Sequence, residues 1–304
     1  MVGILDVLAA RMEPPGINGV LMQDYLRDFP AFKTWKTTLQ ENLKLQWKDE
    51  NHAFHKHPFT LQSIEIQSVD WFGRKIGFIK LKAIIKNDEA EPKELPGVAF
   101  LRGGSVAMLM ILRPKDSRDE RLVVMTEQPR IPAGSLSFLE IPAGMIDDGP
   151  NFKGKAADEI LEETGFNIPV SELIDMTKLA LSEASGKETN HQQGMYPSPG
   201  GSDEFIHIFL WEKEIDRQEV EDLRGKLTGQ KWQGEMITLR VCDNEDLWRE
   251  CARDAKTLAA WALYEGLNRA GIIPEILRER RERGTSPEPD GREAKRQKKE
   301  IGRQ

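Results

Sequence analysis

The 304-residue sequence has little cysteine, no long apolar run and no excess of basic charge. Its two cysteines, Cys242 and Cys251, are too few for a disulfide framework and match no zinc-ligand spacing, which favours a reducing, intracellular setting. A transmembrane helix is not expected, because about 18 consecutive apolar residues are needed and none occur. The N-terminal residues lack a basic-then-apolar signal pattern, so a cytoplasmic protein is expected.

The charge balance argues against a nucleic-acid-binding protein. The net charge is −7, and hydrophobic residues at 39% with charged residues at 31% are typical of a globular protein. From residue 275 onward, ten basic residues outnumber seven acidic ones, and from about Arg278 almost no apolar residues occur, which predicts a disordered basic tail over 275–304. The run Lys295–Lys299 makes nuclear import an alternative location.

Hydrophobic periodicity predicts the order of elements. A helix is expected over about 24–43 with an interruption at Pro30, and alternation over 61–85 around a WFGR turn predicts a β-hairpin. Further strands are expected at these places: 98–102, 105–112, 122–128, 137–141, 178–182, 205–211 and 236–241. Helices are expected over 215–226 and 254–268 and at the acidic segment described next. Strands and helices on one core predict an α/β sandwich.

The segment GMIDDGPNFKGKAADEILEETGF, residues 144–166, is the most informative part of the chain. Its helix carries Glu159, Glu162 and Glu163 on one face, where like charges at this spacing cost about 0.2–0.5 kcal/mol per pair. Such a face is either solvated or holds a cation, and carboxylate oxygens suit Mg²⁺. Lys155 is its only local counter-charge.

This segment resembles the Nudix box. Gly144, Glu159, Ile160, Glu162, Glu163, Gly165 and Phe166 fall in register with that motif. Two positions depart from it, because Pro150 replaces a Glu and Asp158 replaces an Arg. In the family those residues can pair to brace the loop against the helix, so their joint loss removes a brace and leaves no orphaned charge. The resemblance implies metal binding by Glu159, Glu163 and the carbonyl of Ala143, with Glu162 as a third carboxylate, and Gly144 allows close backbone approach.

Two other motifs narrow the resemblance to the ADP-ribose and ADP-sugar pyrophosphatases. Glu127-Gln128-Pro129-Arg130 is similar to their Glu-Gln-x-Arg, whose Arg lies near the substrate phosphates; pairing of Arg130 with a local acid such as Glu127 is the alternative. Ser198-Pro199-Gly200 followed by Glu204 is similar to their Ser-Pro-Gly-x-x-x-Glu, in which the Glu is the catalytic base. An exposed turn residue is the alternative for Glu204, and Glu183 and Glu188 are the alternatives for the base.

Segments similar to the plant-type ADP-sugar diphosphatases run in order from about residue 61 to 270. The resemblance implies a Nudix α/β/α sandwich with an N-terminal β subdomain that commonly supports a homodimer. The expected organisation is a helical extension (1–60), the β subdomain (61–97), the hydrolase domain (98–274) and the tail (275–304). No membrane partner is expected.

The implied activity is Mg²⁺-dependent hydrolysis of an ADP-sugar, such as ADP-ribose or ADP-glucose, to AMP and sugar 1-phosphate, with Mn²⁺ as the alternative ion. Arg130 would hold phosphate oxygens, and an aromatic residue would stack the adenine. Trp71 is the chosen candidate, Trp47 is the other, and either can belong to the core. Two functional alternatives stay open: a pyrophosphatase of UDP-glucose or another nucleoside diphosphate sugar, and a catalytically impaired nucleotide-sugar sensor, motivated by Pro150 and Asp158.

Overall fold

The computed structural model of the chain describes residues 22–146, 152–182, 190–229 and 236–285. The described residues fall into two compact units, divided between Trp261 and Ala262. Among them, no helix combines the length and the apolar character that a membrane span requires. Pro150, Glu183, Glu188 and the run Lys295–Lys299 lie outside the described residues.

The N-terminal sheet is built on the predicted hairpin. Its strands are β1 (Thr60–Phe72), β2 (Lys75–Lys86), β3 (Glu94–Leu95) and β4 (Val98–Leu101), with β3 and β4 both pairing with β2. Gly73 at φ 63° supplies the left-handed residue that a two-residue hairpin turn needs. Alternate residues of β1 and β2 are buried on one face, as the sequence alternation predicts.

Two helices cover that buried face. They are α1 (Met22–Asp28) and α2 (Pro30–Lys48), and the proline occupies the first position of α2, where its missing N–H is tolerated. Phe29 and Phe32 lie in one hydrophobic cluster with Ile64 and Ile79 of the hairpin. The predicted helix with a break at Pro30 is therefore confirmed, and it shares a core with the β subdomain rather than standing apart from it.

A second, eight-stranded sheet carries most of the remaining chain. Its strands are β5 (Ser105–Pro114), β6 (Leu122–Arg130), β7 (Ser135–Glu140), β8 (Ala143–Met145), β9 (Ile174–Asp175), β10 (Ile206–Ile215), β11 (Leu227–Thr228) and β12 (Ile237–Asp243). Strand β10 runs parallel to β5 along its whole length, and the other pairings are antiparallel. The start of β5 also pairs with β8, whereas its end pairs with β6.

Helices complete an α/β architecture, as predicted. They are α3 (Phe152–Thr164), α4 (Met176–Leu181), α5 (Arg217–Glu221), α6 (Leu247–Glu250), α7 (Ala255–Arg269) and α8 (Ile272–Thr285). Ala156 and Ile160 of α3 pack on Val106 and Met108 of β5. The intervening residues of β5 point to the other face and are also buried, because both faces of this strand are covered.

Three expected elements differ in the structure. The strand expected over 178–182 is absent: residues 178–181 belong to helix α4 and Ser182 is its C-cap, because the Asp175 carboxylate caps the start of the helix by accepting the Lys178 N–H at 2.9 Å. The helix expected over 215–226 is limited to α5, since Ile215 still pairs with β5. Residues 275–285 of the expected disordered tail are helical, and pairs such as Arg278–Glu275 at 3.4 Å support this charged helix.

Candidate active site

The expected metal-binding carboxylates come together where α3 passes over β8. Glu159 and Glu163 are one helical turn apart on α3, and Gly165, at φ 81°, follows the end of that helix. Strand β8 brings the backbone of Ala143 and Gly144 alongside β5, with Ala143 opposite Ala107 and Gly144 opposite Val106. Because Val106 is on the face that α3 covers, this ladder presents Gly144 to the helix.

Gly144 and Glu159 approach so closely that a side chain would not fit. A Cβ built on Gly144 would lie 2.0 Å from the carboxyl carbon of Glu159. Lys155 is 2.9 Å from the Glu159 carboxylate and is the helical counter-charge expected from the sequence. The glycine is thus required for the carboxylate to reach the β8 backbone.

Glu163 is almost fully buried beside the same backbone. Its carboxylate accepts the Ala143 N–H at 3.1 Å, and the amide of Gln128 donates to it at 3.5 Å. Burial, reinforced by the nearby negative charge of Glu159, raises the pKa of Glu163 to about 8. A cation bound nearby would stabilise the ionised form of Glu163 in this buried position.

The donor set fits a hard divalent cation. Two carboxylates and the backbone carbonyl of Ala143 are oxygen ligands of the kind that Mg²⁺ and Mn²⁺ take. Glu162 is exposed, and within the described ranges no three acidic, histidine or cysteine side chains converge into a ready-made metal cluster. The participation of Glu162 therefore stays a prediction. Asp158 is exposed as well.

An aromatic stack anchors the start of α3. The ring of Phe152 lies 3.9 Å from that of His207 with an angle of 23° between the planes, and Phe205 meets His207 edge-on. His207 sits opposite Val106 in the parallel ladder, so it lies on the same side of the sheet as Gly144. Burial lowers the pKa of His207, which keeps the imidazole neutral under the helix.

Glu204 lies just before β10 and is held by Arg102, which follows β4, and by Ser105, the first residue of β5. The Ser105 hydroxyl donates to Glu204 Oε1 at 3.1 Å, and Arg102 Nη1 lies 3.2 Å from the same oxygen. The neighbouring Asp203 carboxylate accepts the backbone N–H groups of Arg102 and Gly103. Ser105 pairs with Met145 in the β5–β8 ladder, next to the pairs formed by Gly144 and Ala143. The hydrogen bond from Ser105 therefore holds Glu204 at the end of the ladder that contains these two residues.

Arg130 is paired with a buried acid. Its Nη2 and Nε atoms lie 2.5 and 2.6 Å from Glu140 Oε1, whereas Glu127 pairs with Arg240 and accepts the Ser137 hydroxyl. The alternative of an ion pair between Arg130 and an acid is therefore present, but the acid is Glu140 and not Glu127. Lys256 also contacts Glu140, so this carboxylate holds two cations at the edge of the site.

A cavity of about 1190 Å³ opens beside these residues. Arg102, Gly104, Met145 and Phe152 line it on the side of β5 and α3. Neither Trp71 nor Trp47 is among its described lining residues: Trp71 packs edge-on against Tyr25 with ring centroids 5.0 Å apart, and Trp47 is an exposed residue of α2. The choice of Trp71 as the base-stacking residue is thus not supported by its position, because its ring is used in packing.

Several site residues escaped the sequence reasoning. Arg102 and Ser105 meet Glu204 from a hundred residues away, and Glu140 meets Lys256 at a similar separation. The Gly103-Gly104 pair before a strongly apolar strand was the available signal for Arg102, since adjacent glycines often mark a close backbone approach.

Two relatives and a solved structure illustrate what this chain is similar to. The chain is 36% identical over 259 residues, 85% of its length, to Nudix hydrolase 14, chloroplastic, of Arabidopsis thaliana, of which it covers 77%. It is 29% identical over 120 residues to ADP-ribose pyrophosphatase of Bacillus subtilis (strain 168), which is 40% of this chain and 51% of that protein. A crystal structure of an ADP compounds hydrolase superposes with a TM-score of 0.42 at 15% identity, over 70% of this chain and 98% of that one. No protein-family model matches.

Proposed function

The chain belongs to the Nudix hydrolase family, and we propose that it hydrolyses the diphosphate bond of ADP-sugars. The substrates would be ADP-ribose and ADP-glucose, and the products AMP with ribose 5-phosphate or glucose 1-phosphate. The name of the Bacillus relative, ADP-ribose pyrophosphatase, supports this substrate class. The observation that carries the proposal is the position of the Glu159 and Glu163 carboxylates against the Ala143–Gly144 backbone, which pairs with the strand whose first residue, Ser105, holds Glu204.

Mg²⁺, with Mn²⁺ as a substitute, is the proposed cofactor. Glu159, Glu163 and the Ala143 carbonyl would hold it, with Glu162 as a further ligand. When bound, such an ion offsets charge on the diphosphate and lowers the pKa of a coordinated water. The raised pKa of Glu163 supports this role, because a bound cation would stabilise the ionised carboxylate in its buried position.

Glu204 is the proposed general base. Its carboxylate would accept a proton from the attacking water, and the Ser105 hydroxyl and Arg102 guanidinium hold one of its oxygens in place. The same contacts orient the carboxylate before substrate arrives, which lowers the entropy lost in reaching the reactive geometry.

Two arginines are the proposed diphosphate ligands. Arg102 lines the cavity, and Arg130 lies at the adjacent edge with its guanidinium on Glu140. A guanidinium fork matches two phosphate oxygens at once. Binding would require each arginine to exchange or share its carboxylate partner.

A substrate panel tests the function directly. Purified protein is incubated with ADP-ribose, ADP-glucose and UDP-glucose with Mg²⁺ or EDTA, and products are identified by chromatography and ³¹P NMR. We expect AMP from the ADP-sugars only when Mg²⁺ is present. Hydrolysis of UDP-glucose alone would favour the UDP-sugar alternative, and tight ADP-ribose binding without turnover would favour a sensor.

A homodimer through the N-terminal sheet is also proposed. Phe72, Val98 and Phe100 expose large apolar surface on this sheet, and Phe78 links the two phenylalanine rings by edge and tilted contacts. Light scattering after size exclusion measures the mass, and Phe100→Glu should convert a dimer into a monomer. A parent protein that elutes as a monomer contradicts this proposal.

The cytoplasmic location and the nuclear alternative are proposals as well. The relative in Arabidopsis is named as chloroplastic, so the location is to be measured rather than carried over. Imaging of a fluorescent fusion, with and without alanine at the four basic residues of Lys295–Lys299, distinguishes the locations. Nuclear signal that depends on those residues would establish the tail as an import signal.

A further inference from the structure

The cavity beside the active site is walled on its far side by helix α2. Trp35, Thr38, Leu39 and Asn42 line it. These residues recur at intervals of three and four, so they occupy one face of the helix. The N-terminal extension, whose role the sequence does not define, therefore forms part of the space next to the proposed catalytic groups.

The two ends of this cavity differ in chemistry. Near β5 the lining contains Gly104 and Arg102, and the guanidinium of Arg102 contacts Glu204. Toward the hairpin and α2 the lining contains the aromatic rings of Trp35, Phe54 and Phe72, together with polar side chains such as Thr38 and Asn42. A diphosphate bound at the charged end would direct one of its substituents into the aromatic end.

Trp35 is built as a fixed platform. Its side chain is half-buried, packs on the hydrophobic cluster of the N-terminal sheet, and tilts against Phe32 with ring centroids 6.0 Å apart. A ring held on one side by the core and lining a cavity on the other can stack a planar ligand without losing rotamer freedom. A nucleobase, whose faces are planar and aromatic, gains binding free energy from stacking on such a ring.

Helix α2 is also tied to the opposite wall. Asn190 donates its side-chain amide to Asn42 Oδ1 at 2.8 Å, and the residues that follow Asn190, including His191 and Tyr196, line the cavity. This contact joins the extension to the segment that leads to Glu204. A base bound on α2 is thereby placed at a fixed distance from the reacting phosphates.

We propose that α2 forms the nucleobase-binding wall of the substrate cavity, with Trp35 as the ring on which the adenine stacks. The proposal rests on the proposed function, because it takes the diphosphate to lie at the β5 end. Residues 30–48 would then determine which nucleotide is accepted, while the Nudix box acts on any diphosphate presented to it.

The test compares two tryptophans of the same helix. Trp35→Ala removes the cavity-lining ring, Trp35→Phe keeps an aromatic face, and Trp47→Ala removes an exposed ring that does not line the cavity. Binding of AMP and of ribose 5-phosphate is measured by calorimetry, and kcat and KM are measured for ADP-ribose. Thermal melts of each variant establish that it is folded.

We expect Trp35→Ala to weaken AMP binding and raise the KM for ADP-ribose by about tenfold, the order of a lost stacking contact, with kcat within about twofold of the parent. Trp35→Phe should recover most of the loss, and Trp47→Ala should match the parent. Ribose 5-phosphate binding should be unchanged by Trp35→Ala. Unchanged AMP affinity in folded Trp35→Ala, or weakening confined to ribose 5-phosphate, overturns the proposal.

Failure of the proposed function would be visible separately. AMP binding is measured without turnover, so a parent protein that binds AMP through Trp35 but hydrolyses no ADP-sugar refutes the enzyme activity and keeps the base-binding wall. Turnover of ADP-ribose that is insensitive to Trp35→Ala refutes the wall and keeps the activity.

Discussion

The carboxyl group of Glu159 occupies the space where a side chain on Gly144 would begin. The carboxyl carbon is 2.0 Å from the ideal Cβ position, far inside van der Waals contact. One residue of β8 and one of α3 are thus fitted to each other, and this fit fixes how close the carboxylate comes to the backbone carbonyl of Ala143.

Gly144→Ala should displace Glu159 and disable the site. We expect kcat to fall by about a hundredfold, since misplacement by an ångström can have that effect. Gly266→Ala is the control, because a Cβ at that helical glycine meets nothing within 4 Å. Activity of Gly144→Ala close to that of the control would contradict the assignment of Glu159.

Glu163→Gln should stabilise the metal-free protein at high pH. The pKa of Glu163 is about 8 in the folded chain, against about 4.3 for an unfolded glutamate. Between these values the folded state binds the extra proton, so stability falls as the pH rises through this window. With EDTA we expect the Tm of Glu163→Gln to match the parent near pH 5 and to exceed it by several degrees above pH 8.

Exposed Glu162 provides the matched control on the same helix. Glu162→Gln removes an equal charge without removing a buried ionisation, so its Tm difference from the parent should stay small and should not grow between pH 5 and 8. An equal gain for the two variants would attribute the effect to net charge rather than to burial.

Metal binding should release a proton at neutral pH. Glu163, with its pKa raised by burial, is mostly protonated at pH 7 in the metal-free chain and must ionise to coordinate the ion. Calorimetric titration with Mn²⁺ in buffers of different ionisation enthalpy should give close to one proton at pH 7 and few at pH 9. The proton count should vanish in Glu163→Gln, and a count near zero for the parent at pH 7 would be inconsistent with a buried ligand.

Glu204→Gln should lower kcat with little change in KM. The amide keeps the size of the side chain but cannot accept the proton, and general-base catalysis contributes about 10²–10⁴-fold. Glu214→Gln, an exposed position on β10, is the control. Full activity in Glu204→Gln would place the base elsewhere, and Glu183 and Glu188 are the next carboxylates to replace.

Phe152→Ala should weaken metal binding. The stack on His207 holds the first turn of α3. The ion pair that the Nudix box can form between loop and helix is not available to Pro150 and Asp158. Loss of the stack should therefore raise the Mg²⁺ concentration for half-maximal activity by about tenfold. Leu161→Ala removes an exposed side chain from the same helix and should leave that concentration unchanged. Equal Mg²⁺ dependence in the two variants would mean that the stack only adds stability.

Hydrophobic periodicity and short motifs in the sequence predicted the helices and strands whose formation depends on neighbouring residues. The hairpin, β5 and α7 follow from alternation or helical periodicity, and α3 follows from its acidic face and final glycine. Helix α4 was mistaken for a strand because its six residues are too few to show a helical period and its determinant is a capping contact of Asp175. The first part of the tail is helical because charge pairs and good helix formers compensate for its low hydrophobicity.

The site shows the same division between local and distant information. Glu159, Glu163 and Ala143 meet as expected from one contiguous motif. The alternative of an ion pair between Arg130 and a local acid named Glu127 as the example, but the acid is Glu140, which reaches Arg130 across the β6–β7 pairing. The sequence suggested Trp71, with Trp47 as the other candidate, and neither ring lines the cavity, whereas Trp35 does. Which ring lines a cavity is decided by packing rather than by residue type.

Strand β5 borders both halves of the proposed chemistry. Along one edge it pairs with β8, and along the other with β10, so Ser105 to Ala107 contact the backbone of Ala143 and the residues that follow Glu204. Because β5 is hydrogen-bonded to both β8 and β10, a movement of β5 on warming should move both neighbours with it. The distance between the proposed base, Glu204, and the proposed metal ligand Ala143 should therefore stay nearly constant. Warming should therefore loosen the cavity and its selectivity before it disturbs the alignment of the reacting groups.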